Sequence, residues 1–227
     1  GGLNWKDVRP LIENAFSQIP ETKVLLYTPS GAPRAEKMKV ATKRPNMSAV
    51  RAALLLLFDF YLLPGYRLSQ LEIQKLAYFL QVSGEPLQLN FVKDKYGPYA
   101  EVLNHVLQRI EGHFIRGYGD RTQKIIEPTI FLMPEALEEA QRYLDKKSTE
   151  TIKNLENVFR LIEGFEYPNG MELLSTVHWV TQEDEVAKNN LKKTIELVHN
   201  WNDRKKEQFS ERDIEIAWSR LKKCNYC

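Results

Sequence analysis

Between residues 70 and 83 the apolar side chains Ile73, Leu76, Ala77 and Leu80 fall at i, i+3, i+4 and i+7, the repeat of one helical face. Ser69 and Glu72 stand three apart before that run, the signature of a capping box, and Gly84 stops it. The same 3.6-residue spacing predicts helices over 4–18, 49–63, 134–145, 149–163, 170–180, 184–201 and 210–222. Ser48, Ser148, Thr181 with Asp184, and Ser210 with Asp213 are the expected caps. Residues 49–63 are apolar almost all round, which places that helix at the centre of a core. Gly97-Pro98 reads as the start of another helix, with Tyr99, Val102, Leu103, Val106, Leu107 and Ile110 as its stripe. Strand-like runs are few. Lys23 to Tyr27 reads as one strand, Gln88 to Lys93 as an extended segment, and Phe114–Tyr118 with Ile125–Leu132 as a hairpin.

These patterns predict a mainly α protein: a compact multi-helix domain over 48–227 with a small β-hairpin. Residues 1–28 are a helix and a strand that cannot bury a core by themselves, the remnant of a larger α/β domain. Residues 29–47, with Pro29, Gly31, Pro33 and Pro45 and an excess of cations, read as an extended or mobile linker.

Net charge is only +2, which excludes a uniformly basic nucleic-acid-binding surface. Its distribution is uneven. Residues 34–51 carry +5 and residues 186–227 carry +4, leaving −7 on the rest. An acidic body attracts basic surfaces and argues against direct nucleic-acid binding. Hydrophobic residues make up 43% of the chain, enough for a packed core. The two cysteines, Cys224 and Cys227, give no disulfide framework, which fits a reducing cytoplasm. The longest apolar run, Ala52 to Leu63, is interrupted by Asp59 and is shorter than the ~20 residues of a membrane span.

Chemistry-bearing motifs are sparse. His105, His113, His178 and His199 show no metal-ligand spacing, and Cys224-Asn-Tyr-Cys227 has no second ligand pair. Nucleophile elbows and Gly-rich phosphate loops are absent. No catalytic residue, cofactor or metal is therefore expected. What remains is the polar side of the 70–83 helix, with Gln74, Lys75, Tyr78 and Gln81, and the tyrosine-rich loop with Lys95, Tyr96 and Tyr99. Tyrosine is an amphipathic anchor favoured at interfaces, so these residues are the first candidates for partner contact.

The segments Glu72–Gln81 (EIQKLAYFLQ), Gly84–Leu87 (GEPL), Lys95–Ala100 (KYGPYA), Glu111–His113, Gly117–Asp120, Glu163–Glu166 (EGFE) and Leu173–Val180 (LLSTVHWV) together resemble the C-terminal domain of DarG-type antitoxins, the macrodomain DNA ADP-ribosyl glycohydrolases. Leu3–Ile12 and Lys23–Tyr27 resemble the closing helix and strand of the preceding macrodomain, and Met38–Pro45 its linker. The resemblance implies a bacterial toxin–antitoxin system. Its partner is a DarT-type toxin, which ADP-ribosylates single-stranded DNA and would be neutralised through occupation of its DNA groove. Glu163, Glu166, Glu172, Glu183, Asp184 and Glu185 are then the acidic groups expected to stand in for phosphates. The macrodomain's ligand loops have no counterpart here, so the resemblance implies a non-enzymatic antitoxin piece. The alternative is a DNA-binding autoregulatory domain of the same operon, acting through the basic linker and the last helices.

Overall fold

The computed structural model describes residues 3–27, 39–40, 42–119, 130–145 and 149–227. It is mainly helical, with eleven helices and two small antiparallel hairpins among these residues. The chain divides into two units, Gly1–Pro33 and Arg34–Cys227.

In the first unit, α1 (Trp5–Ser17) starts where the Asn4 side chain accepts from the Lys6 amide, and it buries none of its residues. Lys23–Tyr27, expected as a strand, joins no ladder among the described residues. A strand is held by its neighbour's backbone groups, and among the described residues of its unit none pairs with this segment.

The second unit is built around two buried helices. The first, α2 (Ala49–Tyr61), is capped by Ser48 and packs on α3 (Gln70–Val82), α5 (Pro134–Leu144) and α6 (Thr149–Ile162). Its Ala52, Ala53, Leu55, Leu57 and Phe58 are completely buried, as its apolar circumference requires. The second, α7 (Pro168–Glu183), runs beside α3 and α11 (Glu211–Lys223) and is buried from Gly170 to His178. The capping boxes of Ser69 with Glu72 and Ser210 with Asp213 form as the spacing predicts.

A methyl group on Gly170 would lie 2.8 Å from the Phe165 carbonyl oxygen and 2.8 Å from the Tyr167 ring. Tyr167 is half exposed and can move, whereas the carbonyl is backbone. Gly170→Ala is expected to lower stability by about 1–3 kcal/mol in urea unfolding, the range for overpacking.

Four sequence expectations change. Gly97-Pro98 does not open a helix. Gly97–Tyr99 is strand β2, paired with β1 (Val92–Asp94) in the register Asp94↔Gly97, and α4 begins only at Glu101. The 184–201 helix is broken into α8 (Glu185–Asn189) and α9 (Leu191–His199), because the Asn190 side chain caps a new start at Leu191 by accepting from the Lys193 amide. Thr181 is not a cap. It lies inside α7 and donates to the His178 carbonyl, while Asp184 caps α8 by accepting from Val186 and Ala187. A short helix, α10 (Asp203–Gln208), lies where only a basic connection was expected.

The hairpin of β3 (Ile115–Arg116) and β4 (Phe131–Leu132) forms, though most of the Ile125–Leu132 segment and the Ser148 cap lie outside the described residues. Much of the 29–47 linker also lies outside them. Its described end is docked: Arg44 reaches Glu139 and lies over the Phe114 ring, and Thr42 meets His113. Among the described residues no helix is long and apolar enough to cross a membrane.

Candidate functional site

The hairpin β1–β2 turns over just two residues, Lys95 and Tyr96, and both are exposed. Gly97 follows with φ +99°, a conformation that only glycine adopts readily. Its missing side chain also lets the hairpin lie against α7, since a Cβ there would stand 3.2 Å from Thr176 Oγ1 and 3.4 Å from Lys75 Nζ.

Side chains from α3 and from the junction of α9 and α10 fasten the hairpin's backbone. From α3, Lys75 Nζ donates to the Pro98 carbonyl at 2.6 Å. Gln74 grips Ala100 twice, donating to its carbonyl (3.0 Å) and accepting from its amide (2.9 Å). Trp201 Nε1, after α9, donates to the Asp94 carbonyl (2.9 Å), and Asn202 Nδ2, capping α10, donates to the Lys95 carbonyl (3.1 Å). A two-stranded hairpin alone is marginal in water; these five bonds hold this one against the helices.

The floor beneath the hairpin is charged and buried. Glu172 of α7 is 1% exposed, and Lys205 of α10 is fully buried. Lys205 Nζ donates to Glu172 Oε1 (2.6 Å) and Thr176 Oγ1 (3.0 Å), while Arg204 forks onto both Glu172 oxygens at 2.6 and 3.0 Å. The Arg204 guanidinium also lies 4.7 Å over the Tyr96 ring, tying the exposed tip to the buried carboxylate. Burial, helped by nearby Lys205, pushes the Lys75 ammonium down to about 7.

The structure redistributes the thirteen candidate contact residues. Gln74, Lys75, Tyr78 and Glu172 are buried and cannot meet a partner directly. The first two hold the hairpin. The Tyr78 hydroxyl bonds His178 Nδ1 at 2.7 Å, and burial pushes that imidazole down to about 4, keeping it neutral at pH 7. Glu172 neutralises Arg204 and Lys205 internally, so it is no phosphate mimic. Gln81 uses both ends of its amide on Leu89. The half-buried Tyr99 hydroxyl donates to Glu101 and accepts from Asn104. Glu166 accepts from the Gly164 amide and Asp184 caps α8.

Lys95, Tyr96, Glu163, Glu183 and Glu185 remain exposed. Glu163 stands apart, lining a pocket of about 570 Å³ with Arg160, Arg220 and Tyr226. Sequence reasoning missed Trp201, Asn202, Arg204 and Lys205 as parts of this site. A run of three cations carries no mark of which one is buried, and Trp201 shows only its helical apolar register.

No family model matches the chain. Curated relatives do. A protein named DNA ADP-ribosyl glycohydrolase from Thermus aquaticus is 40% identical over 98% of this chain. Proteins of that name from Mycobacterium tuberculosis and Mycobacterium bovis are 34% identical over 97% of it. The chain spans 60% and 65% of the length of these relatives. Two expectations are corrected by this finding. The view of the chain as only an antitoxin C-terminal piece does not stand, and neither does its exclusion from the enzymes. Proteins carrying an enzyme's name align with nearly every residue of it.

Proposed function

We propose that the protein carrying this chain is a DNA ADP-ribosyl glycohydrolase, which cleaves ADP-ribose from DNA, and that its helical unit grips the DarT-type transferase that attaches it. The alignment of proteins of that name along 97–98% of the chain carries the first part of the reading. The test is release of ADP-ribose from ADP-ribosylated single-stranded DNA by the full-length protein. Release supports the reading, and intact modified DNA after prolonged incubation overturns it.

The second part draws support from the hairpin. Lys95 and Tyr96 form an exposed tip whose backbone is fastened from below, and a preordered aromatic contact loses little entropy on binding. Of the acidic groups left outside, Glu183 and Glu185 at the α7–α8 junction are suited to a basic DNA groove, while Glu163 faces Arg160 and Arg220 in its pocket. Tyr96→Ala is expected to weaken transferase binding at least tenfold, in the range of an interface hot spot. From the fold it removes the stacking of Arg204 and Lys95 on that ring, about 0.5–1 kcal/mol each. Affinity by calorimetry and stability by urea unfolding separate the two effects.

A further inference from the structure

The floor under the hairpin holds more positive than negative charge. Lys75 reaches it from α3, and Arg204 and Lys205 reach it from α10. Glu172 of α7 is the carboxylate they face inside, and both of its oxygens are taken by α10. Asp94 of β1 also acts on Lys75, but its side chain lies at the exposed end of the hairpin. On its own helix Lys75 is flanked by Glu72, which is engaged by Ser69 and Tyr61, and by Tyr78, which is engaged by His178. The other titratable group of α7 in this region, His178, is held neutral by burial. A proton on Lys75 therefore adds a buried cation next to Lys205; Glu172, already bonded by Arg204 and Lys205, and the exposed Asp94 offset it only in part, and burial outweighs both.

Lys75 is also the fastener of the hairpin, through its bond to the Pro98 carbonyl, and Gly97 lies directly above its ammonium. Opening the Asp94–Ala100 segment would admit water to Lys75 and restore its ordinary preference for the charged form. We propose that this arrangement makes the Lys95–Tyr96 tip a pH-gated binding element, closed and partner-competent in mildly alkaline solution and increasingly open as the proton concentration rises. This rests on the reading of the tip as the transferase contact.

The sign and window follow from linkage. The closed state takes the proton only near pH 7, and the opened state takes it near 10.5. Between those values the open state binds more protons, so opening becomes about tenfold more frequent for each unit of pH decrease. Below pH 7 both states are protonated and the dependence levels off.

The experiment is amide hydrogen exchange of the full chain at residues 94–100 from pH 6 to 9, corrected for intrinsic exchange rates, with Lys75→Met in parallel. The expected result is an opening constant that climbs about tenfold per unit from pH 9 to 7 and flattens below. In Lys75→Met, which removes that amine and leaves only Lys205 as a buried amine in the cluster, the slope falls markedly. A pH-independent opening constant in the wild type, or an unchanged slope in Lys75→Met, overturns the proposal. Exchange is read without the transferase, so failure here is distinct from failure of the binding reading. In the latter case Tyr96→Ala leaves affinity unchanged while the exchange slope persists.

Discussion

Glu172→Leu is expected to cost about 3–5 kcal/mol, the penalty for leaving a buried charge without its partner. Lys205 is fully buried and its ammonium has Glu172 Oε1 and Thr176 Oγ1 as hydrogen-bond acceptors. With the carboxylate gone, Lys205 must either deprotonate or open the contact between α7 and α10. Arg204 is in a different position, since its side chain is 36% exposed and can turn to solvent. Adding Lys205→Met to Glu172→Leu removes the orphaned charge and fills the same volume with apolar atoms, so the double variant is expected to regain most of the loss. Urea unfolding of the four proteins of this cycle measures the coupling directly. Additive single effects would mean that the pair does not act as a unit.

Phe79→Ala is the second large effect. Phe79 is completely buried on α3, edge-on to Tyr78 and His178, with Tyr226 from the C-terminal tail 6.3 Å away. Truncation opens a cavity between α3, α7 and the tail and is expected to cost about 3–5 kcal/mol. The denaturant midpoint should fall with the slope unchanged, because both end states keep their exposed surface. The tail should loosen as well, since the Tyr226 ring packs against Phe79 and His178.

The helices were legible wherever a stripe and a cap coincided. The Ser69 and Ser210 boxes set their helix starts, and the all-round apolar 49–63 segment became the central α2. Legibility failed where a polar side chain serves distant backbone. Gln74, Lys75 and Tyr78 share a polar helical side that reads as a partner-contact face, yet they are buried, bonding the hairpin's backbone and His178. Glu85 of the GEPL segment is likewise buried, accepting from Thr151 and Asn154 of α6, and Glu111 collects the amides of Gly117 and Tyr118. Many residues that carried the family resemblance are thus internal fasteners rather than contacts. Sequence spacing reports a residue's helical face, but not which distant strand will cover it.

The hairpin shows the same limit. Tyr-Gly-Pro-Tyr has the composition of a helix start, and Pro98 would fit one. Register decides otherwise: the positive φ of Gly97 and the pairing of Pro98 with Lys93 place the chain in a strand, and Lys75 takes up the Pro98 carbonyl. Of the candidate site, the sequence identified the loop that forms the tip, while the cluster beneath it came from α7 and α10, more than seventy residues away in the chain.

The most direct test of the account is the rate at which a DarT-type transferase modifies single-stranded DNA in the presence of this chain. The account predicts that the wild-type chain suppresses modification at stoichiometric concentration and that Tyr96→Ala restores most of it. Modification that proceeds at the uninhibited rate in a large excess of the folded chain would contradict it.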